Sequence, residues 1–268
     1  MRNSSMTGRY AMDNDELMKR APSIFAQEPY EAMSERYSFV PTIQIVESMR
    51  KEGYQAYSAF EARTRKEEKR GYTKHVVRMR HVDVQPLQEG LFPEILLLNS
   101  HDGGCAYQMH AGLFRLVCSN GMIVADATFD KISVRHSGNV WEEILAGATS
   151  ITNNLPLLKD KVDRLGAIEL TPNEQGLFAD AALSLKYPET APIAPTQLLQ
   201  LRRYDDNKND LFSVMNRIQE NLLKGGLRGV SATNRRTRTR AVKSVSEDTR
   251  LNKALWALTE KMAEIKAA

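Results

Sequence analysis

Apolar residues recur along this chain in two rhythms, one suited to strands and one to helices, and the first half carries both. In Thr42–Glu52, Ile43, Val46 and Met49 recur at three-residue steps, Thr42 is placed to cap, and Gly53 lies just past the end. That spacing predicts an amphipathic helix turned toward a core. Gln55–Arg65 and Thr73–Val84 are enriched in Val, Tyr, Phe and Thr and predict an antiparallel hairpin joined through the charged loop Lys66–Gly71. In its second strand a period of two places His75, Val77, Met79 and His81 on one face and Lys74, Val76, Arg78 and Arg80 on the other. The uncharged run Ile95–Leu98 within Glu94–Asn99 predicts a buried central strand, ended by the loop Ser100–Gly104.

From Cys105 onward Ala106, Met109, Leu113, Leu116 and Val117 fit helical spacing, with Asn120–Gly121 as a left-handed terminus, while Cys105–His110 fits a strand equally. Met122–Val124 and Lys131–Arg135 predict a further pair of strands. A helical half then starts at Gly138–Asn139, where Asn139 can cap and Glu142 and Glu143 occupy the first turn. Thr171-Pro172 followed by Glu174 predicts a helix running to Lys186. Asn209–Leu223 carries Leu211, Val214, Met215, Ile218 and Leu222 on one side, before Gly225-Gly226 breaks it. After a Ser246 cap, the terminal helix sets Leu251, Leu255, Leu258, Met262 and Ile265 at alternating steps of four and three, a seam expected to pack onto its own domain. The predicted class is α+β, an N-terminal antiparallel sheet with packed helices followed by a mostly helical C-terminal half. Its divisions are a polar arm at 1–35, a sheet core at 36–138, a helical region at 139–223, a basic loop at 224–245 and an amphipathic helix at 246–268.

The 268 residues allow one large domain or two small ones. The longest uncharged apolar runs fall far short of the ~20 residues that a membrane helix needs. Residues 1–20 are polar and charged, without the apolar stretch of a secretory signal, so a cytoplasmic location with Cys105 and Cys118 reduced is expected. A net charge of +4 says little by itself, but its distribution is uneven. Arg228, Arg235, Arg236, Arg238, Arg240 and Lys243 lie in a stretch with no acidic residue, and Lys74, Arg78 and Arg80 form a second block that Arg63 and Arg65 can extend. A solvated surface explains either block alone. Two blocks of one sign favour a polyanion, so these eleven residues are the candidate nucleic-acid contacts.

Other constellations are weaker. His101, Cys105, His110 and Cys118 are metal-ligand types, but their spacing matches no zinc knuckle or ribbon, and Cys118 sits on an apolar stretch that suits a buried thiol. Asp102 with Gly103-Gly104 predicts a turn in which the carboxylate caps its own backbone. Asp102, Asp126 and Asp130 are the acids available for magnesium, with nothing to bring them together. There is no phosphate loop, dinucleotide fingerprint, nucleophile elbow or HExxH sequence. No catalytic residue, metal or cofactor is assigned, and an enzyme is the minority reading.

The segments APSIF from Ala21, SERYSFVPT, RTRKEEKRGYTKH, NSHDG, GLFRLVCSNG, RHSGN, ENLLKGGLRG, RRTRTR and LNKALWALTEKMA resemble the domain-of-unknown-function family numbered 932, over nearly the whole chain. The resemblance implies a phage or plasmid setting rather than a reaction. The order of helix, basic sheet and long helix is also similar to the cores of the phage Erf, RecT and Red-beta annealing proteins. The expectation is a non-catalytic nucleic-acid-binding protein of a mobile element, in its sharpest form a single-stranded DNA binder for annealing or recombination, with bases stacked on Tyr57 or Tyr72. Self-association is a further expectation from that likeness. A metal-dependent enzyme acting on nucleic acid and a scaffold or anti-defence protein are the alternatives.

Overall fold

A computed structural model describes residues 10–34, 37–87, 91–115, 121–123, 132–134 and 140–267. The chain divides into two compact units, Met1–Leu155 and Pro156–Ala268. The class is α+β, as the sequence predicts.

In the first unit, helices α1 (Asn14–Arg20) and α2 (Thr42–Lys51) accompany an antiparallel sheet. Its strands are β1 (Tyr54–Glu61), β2 (His75–His81), β3 (Leu91–Asn99), β4 (Tyr107–Arg115) and β5 (Gly121–Ile123), hydrogen-bonded in that order, while β6 (Ile132–Val134) also pairs with β4. The predicted hairpin is present in shorter form as β1 and β2, and the run Ile95–Leu98 lies in the middle strand, β3. Val77, Met79, Ile95, Leu97, Met109 and Ala111 are buried on the sheet face that carries His75, where Ile45, Val46 and Met49 of α2 are buried as well.

Four expectations are corrected in this unit. The polar arm contains α1, closed by a capping box in which Asp13 accepts from the Glu16 N–H at 2.8 Å and Glu16 accepts from the Asp13 N–H at 3.4 Å. Leu17, Ala21 and Ile24 are buried anchors within it, and the Met12 N–H donates to the Ala56 carbonyl at 2.7 Å. Thr42 is the first residue of α2 rather than its cap, which is Pro41, and its hydroxyl is used in the core. Tyr107–Arg115 is a strand, so the strand reading open for Cys105–His110 holds and the helix expected to continue from there does not run through Ala111–Arg115. Its register sets Leu113, Ala111 and Met109 opposite Pro93, Ile95 and Leu97; the period of two in Tyr107, Met109, Ala111 and Leu113 wins over the helical spacing of Ala106, Met109 and Leu113 because both neighbours of the segment are strands.

The fourth correction concerns the cationic face of β2. Arg78 and Arg80 are 3% and 5% exposed, not turned to solvent. β2 lies between β1 and β3, and Glu94 of β3 supplies the counter-charge: Arg78 Nε donates to Glu94 Oε2 at 2.7 Å and Arg80 Nε to Oε1 at 3.0 Å. The Arg80 guanidinium is sandwiched between Tyr57 and Phe92, 4.0 and 3.8 Å from their ring centroids. A half-polar strand pattern therefore records a buried ion cluster here, and Tyr57 is already occupied.

Helix α3 (Val140–Gly166) contains the division between the units. In the second unit α4 (Pro172–Lys186), α5 (Leu211–Lys224) and α6 (Val245–Ala267) pack on one another. The predicted α4 start is present as a capping box, with Thr171 accepting from the Glu174 N–H and Glu174 from the Thr171 N–H at 2.7 Å. Asp210 caps α5 through the Ser213 N–H at 2.8 Å. At the start of α6 it is Ser244, not Ser246, whose hydroxyl accepts from the Glu247 N–H. Leu251 and Leu255 are buried, but Ile265 is 62% exposed and the stripe continues through Trp256, Thr259 and Ala263. Asn252 belongs to the same stripe and accepts from Gln219 Nε2 of α5 at 2.7 Å, so the seam is turned toward residues that an apolar count passes over.

Among the described residues, no helix is long and apolar enough to cross a membrane. The readings of Cys118, Asp126, Asp130 and Asn139 lie outside the described residues.

Candidate nucleic-acid interface

The expected basic loop is a β-hairpin, and its glycines explain how it is seated. Helix α5 ends at Gly225, whose φ of +61° is the left-handed conformation that favours glycine. A Cβ there would also stand 2.6 Å from the Arg240 carbonyl carbon. Strands β7 (Arg228–Val230) and β8 (Arg236–Arg238) then pair antiparallel, with Arg228 opposite Arg238, Gly229 opposite Thr237 and Val230 opposite Arg236. Gly229 lies so close to the Pro192 carbonyl oxygen that a Cβ would fall 1.9 Å from it. That approach lets the Val230 N–H donate to Pro192 at 2.8 Å.

The hairpin is tied to the helices at its foot. Thr239 N–H donates to Leu227 at 2.9 Å, Val242 N–H to Leu223 at 2.8 Å, and Gln197 Nε2 to the Arg228 carbonyl at 2.9 Å. Lys186 Nζ donates to the carbonyls of Leu222 and Arg240 at 2.6 and 2.9 Å, and burial lowers its pKa. The arginines are therefore carried on a fixed backbone rather than a loose tether.

Alternation does the rest. Arg236, Arg238 and Arg240 are exposed, whereas Thr237 is half-buried and Thr239 buried, so through β8 and the two residues after it the threonines face inward and the arginines outward. Arg228 and Arg235 are exposed as well. Among the described residues none of these five, nor Lys243, has an acidic partner within ion-pair distance. Neighbouring cations are paired: Lys224 and Arg203 both donate to Glu220, at 2.6 and 2.9 Å. Burial opposes ionisation of Glu220, yet those donors bring its pKa down to about 2. Arg228 directly across from Arg238 is a like-charge pair, an arrangement that costs stability until an anion relieves it.

Beside the hairpin lies a groove of about 540 Å³ lined by Tyr187, Thr190, Ser231, Arg238, Arg240 and Lys243, with Lys186 and Glu247 also in its wall. Glu247 is held by Arg250 at 2.7 and 2.8 Å, which keeps its pKa below the usual carboxylate range. Sequence reasoning missed Tyr187; the signal was an aromatic between a capped helix and Pro188.

Of the other predicted contacts, Arg63 and Arg65 are exposed in the β1–β2 connection and Lys74 is half-buried. Arg78 and Arg80 are committed to Glu94, as described above. The structure thus gathers Arg228, Arg235, Arg236, Arg238 and Arg240 on the hairpin, with Lys243 at the groove, and removes two residues of the other block from the surface.

The first unit contains a buried polar cluster instead. The Thr42 hydroxyl lies 2.8 Å from His75 Nε2 and 3.3 Å from His101 Nε2, and accepts from Asn99 Nδ2 at 3.0 Å. His75 Nδ1 is 3.0 Å from the Thr73 carbonyl, which can only accept, so Nδ1 carries the proton and Nε2 accepts from Thr42. Burial lowers the His75 pKa to about 4. Next to it the predicted Asp102 turn is present: Gly104 N–H donates to Asp102 Oδ1 at 3.0 Å and Gly103 has a φ of +71°. Lys69 pairs with Asp102 at 3.2 Å, and burial with nearby Cys105 and Asp102 pushes the Tyr37 hydroxyl up to about 12. His101 lies in the bend after β3 and His110 within β4, and among the described residues no group of three His, Cys, Asp or Glu converges as a metal site.

The model of a family described as a domain of unknown function, DUF932, matches residues 29–256. Two relatives from Escherichia coli strain K12, the UPF0380 proteins YfjQ and YafZ, are each 39% identical over 250 residues, covering 93% of this chain and 90% of theirs. No solved structure gives a significant match.

Proposed function

We propose that this chain, which belongs to the DUF932 family, binds nucleic acid through the β7–β8 hairpin of its second unit. The observation that carries the reading is the row of exposed arginines at 236, 238 and 240, facing out at every second residue without acidic partners among the described residues. Side chains two apart on a strand are about 6.7 Å apart, a spacing that successive phosphates of an extended strand can meet. The hairpin bonds Ser231 N–H to Arg235 and Thr239 N–H to Leu227, so the main-chain N–H groups of Arg236 and Arg238 alternate toward the outer edge, where they add donors for an anion. Guanidinium groups on a tied backbone suit phosphate better than a flexible tail, because less side-chain and chain freedom is lost on binding.

Single-stranded DNA is the preferred form of the ligand, and annealing or recombination in a mobile element is the role that fits such binding. The mechanism is neutralisation of phosphates with release of counterions, and no bond is broken. The test is fluorescence anisotropy with labelled single- and double-stranded oligonucleotides, with and without magnesium, each followed on a denaturing gel. Saturable binding of intact oligonucleotide, weakened by salt, is the expected result. Magnesium-dependent cleavage would point to the enzymatic alternative. Absence of binding to every oligonucleotide at low salt would leave the scaffold alternative.

A further inference from the structure

We infer that the groove beside the hairpin is a nucleotide subsite, in which one unpaired base of a bound strand stacks on Tyr187 while its phosphates lie among Arg238, Arg240 and Lys243. The inference rests on the nucleic-acid reading above and adds to it a site that reads the base rather than the backbone.

Three features of the groove meet the needs of that ligand. Its volume of about 540 Å³ is that of a small-molecule site, much more than a lone phosphate requires. Arg238, Arg240 and Lys243 come from β8 and the segment after it, Lys186 and the Tyr187 ring come from the end of α4, and the one carboxylate in the wall, Glu247 of α6, is already paired with Arg250. Thr190, Ser231 and Thr237 contribute hydroxyls that can both donate to and accept from a base edge. Tyr187 is well held for stacking, since its N–H donates to the Leu183 carbonyl at 3.0 Å and Pro188 restricts the chain behind it. Lys186 Nζ lies over that ring, 5.6 Å from its centroid, so the base stacks on the opposite face.

The arrangement also selects between strands. A base in a duplex is stacked and paired, and reaching the groove would require its extrusion, whereas an unpaired base enters without that cost. A phosphate track alone would not make this distinction.

The test compares a short oligothymidylate with an oligomer of the same number of abasic nucleotides, so that phosphate count is constant and the base is the variable. Full-length wild-type protein should bind the thymidylate roughly 5- to 150-fold more tightly, the range that base stacking on an aromatic covers. Tyr187→Leu should reduce thymidylate affinity to the abasic level without changing abasic binding or its salt slope, and Tyr187→Phe should retain the preference. Equal wild-type affinity for the two oligomers overturns the subsite while leaving the hairpin interface intact, and needs no variant. A Tyr187→Leu protein that keeps the full preference also overturns it. Failure of the wild type to bind either oligomer instead removes the nucleic-acid reading on which the subsite rests.

Discussion

Glu94 sits between two guanidiniums inside the sheet, 2.7 Å from Arg78 Nε and 3.0 Å from Arg80 Nε. Glu94→Gln would leave both cations buried beside a neutral amide, and breaking a buried pair in this way costs about 3–5 kcal/mol. Chemical denaturation should show a loss of that order; a midpoint unchanged from wild type would contradict the burial assigned to the cluster. A second prediction at this scale concerns His75, whose pKa falls from 6.5 to about 4 on burial. The folded value lies below the unfolded one, so protonation favours unfolding. The contribution is complete above pH 6.5 and is lost as pH falls toward 4, amounting to about 3 kcal/mol. Acidifying from pH 7 to 4 should therefore cost the wild type about 3 kcal/mol more than His75→Leu, whereas parallel stability profiles would refute the buried neutral imidazole. Glu220 and Asp248 titrate in both proteins, so the difference between them isolates position 75.

At the scale of elements, α6 and the hairpin make opposite demands on substitution. Leu255 is buried and Ile265 exposed, although both belong to the heptad-like seam read from the sequence. Leu255→Asp places an unpartnered charge in the core and should cost several kcal/mol, while Ile265→Asp should stay within about 0.5 kcal/mol of wild type. Equal effects of the two in thermal denaturation would restore the sequence-derived seam. In the hairpin, Gly229→Ala must push β7 off Pro192, because its Cβ would fall 1.9 Å from the carbonyl oxygen. It should lower stability by roughly 1–3 kcal/mol, as overpacking does, and weaken nucleic-acid binding by displacing the arginines. Wild-type stability and affinity in that variant would show that the close approach is not needed. The helix signals at Thr171, Pro172 and Glu174 were legible because capping is local chemistry. The strand at Tyr107–Arg115 was ambiguous because two periods overlap there: Tyr107, Met109, Ala111 and Leu113 keep a period of two, while Ala106, Met109 and Leu113 also fit helical steps of three and four.

For the molecule as a whole, the sequence showed two basic blocks and the fold separates their roles. Whether a run of cations meets solvent or a buried carboxylate depends on which strand lies beside it, and Glu94 is distant from neither arginine in space yet 14 and 16 residues away along the chain. No periodicity reports such a pairing. The RRTRTR segment was legible as cations but not as a β-hairpin, since the strand depends on Pro192, Gly225 and Gly229 accepting it. The central claim is that this second block forms the phosphate track, and the salt dependence of single-strand affinity tests it most directly. In the variant Arg236→Gln, Arg238→Gln, Arg240→Gln, affinity should fall and the slope of log K against log salt should flatten by about 2, at about 0.7 for each lost contact. A slope and an affinity both unchanged from wild type would contradict it.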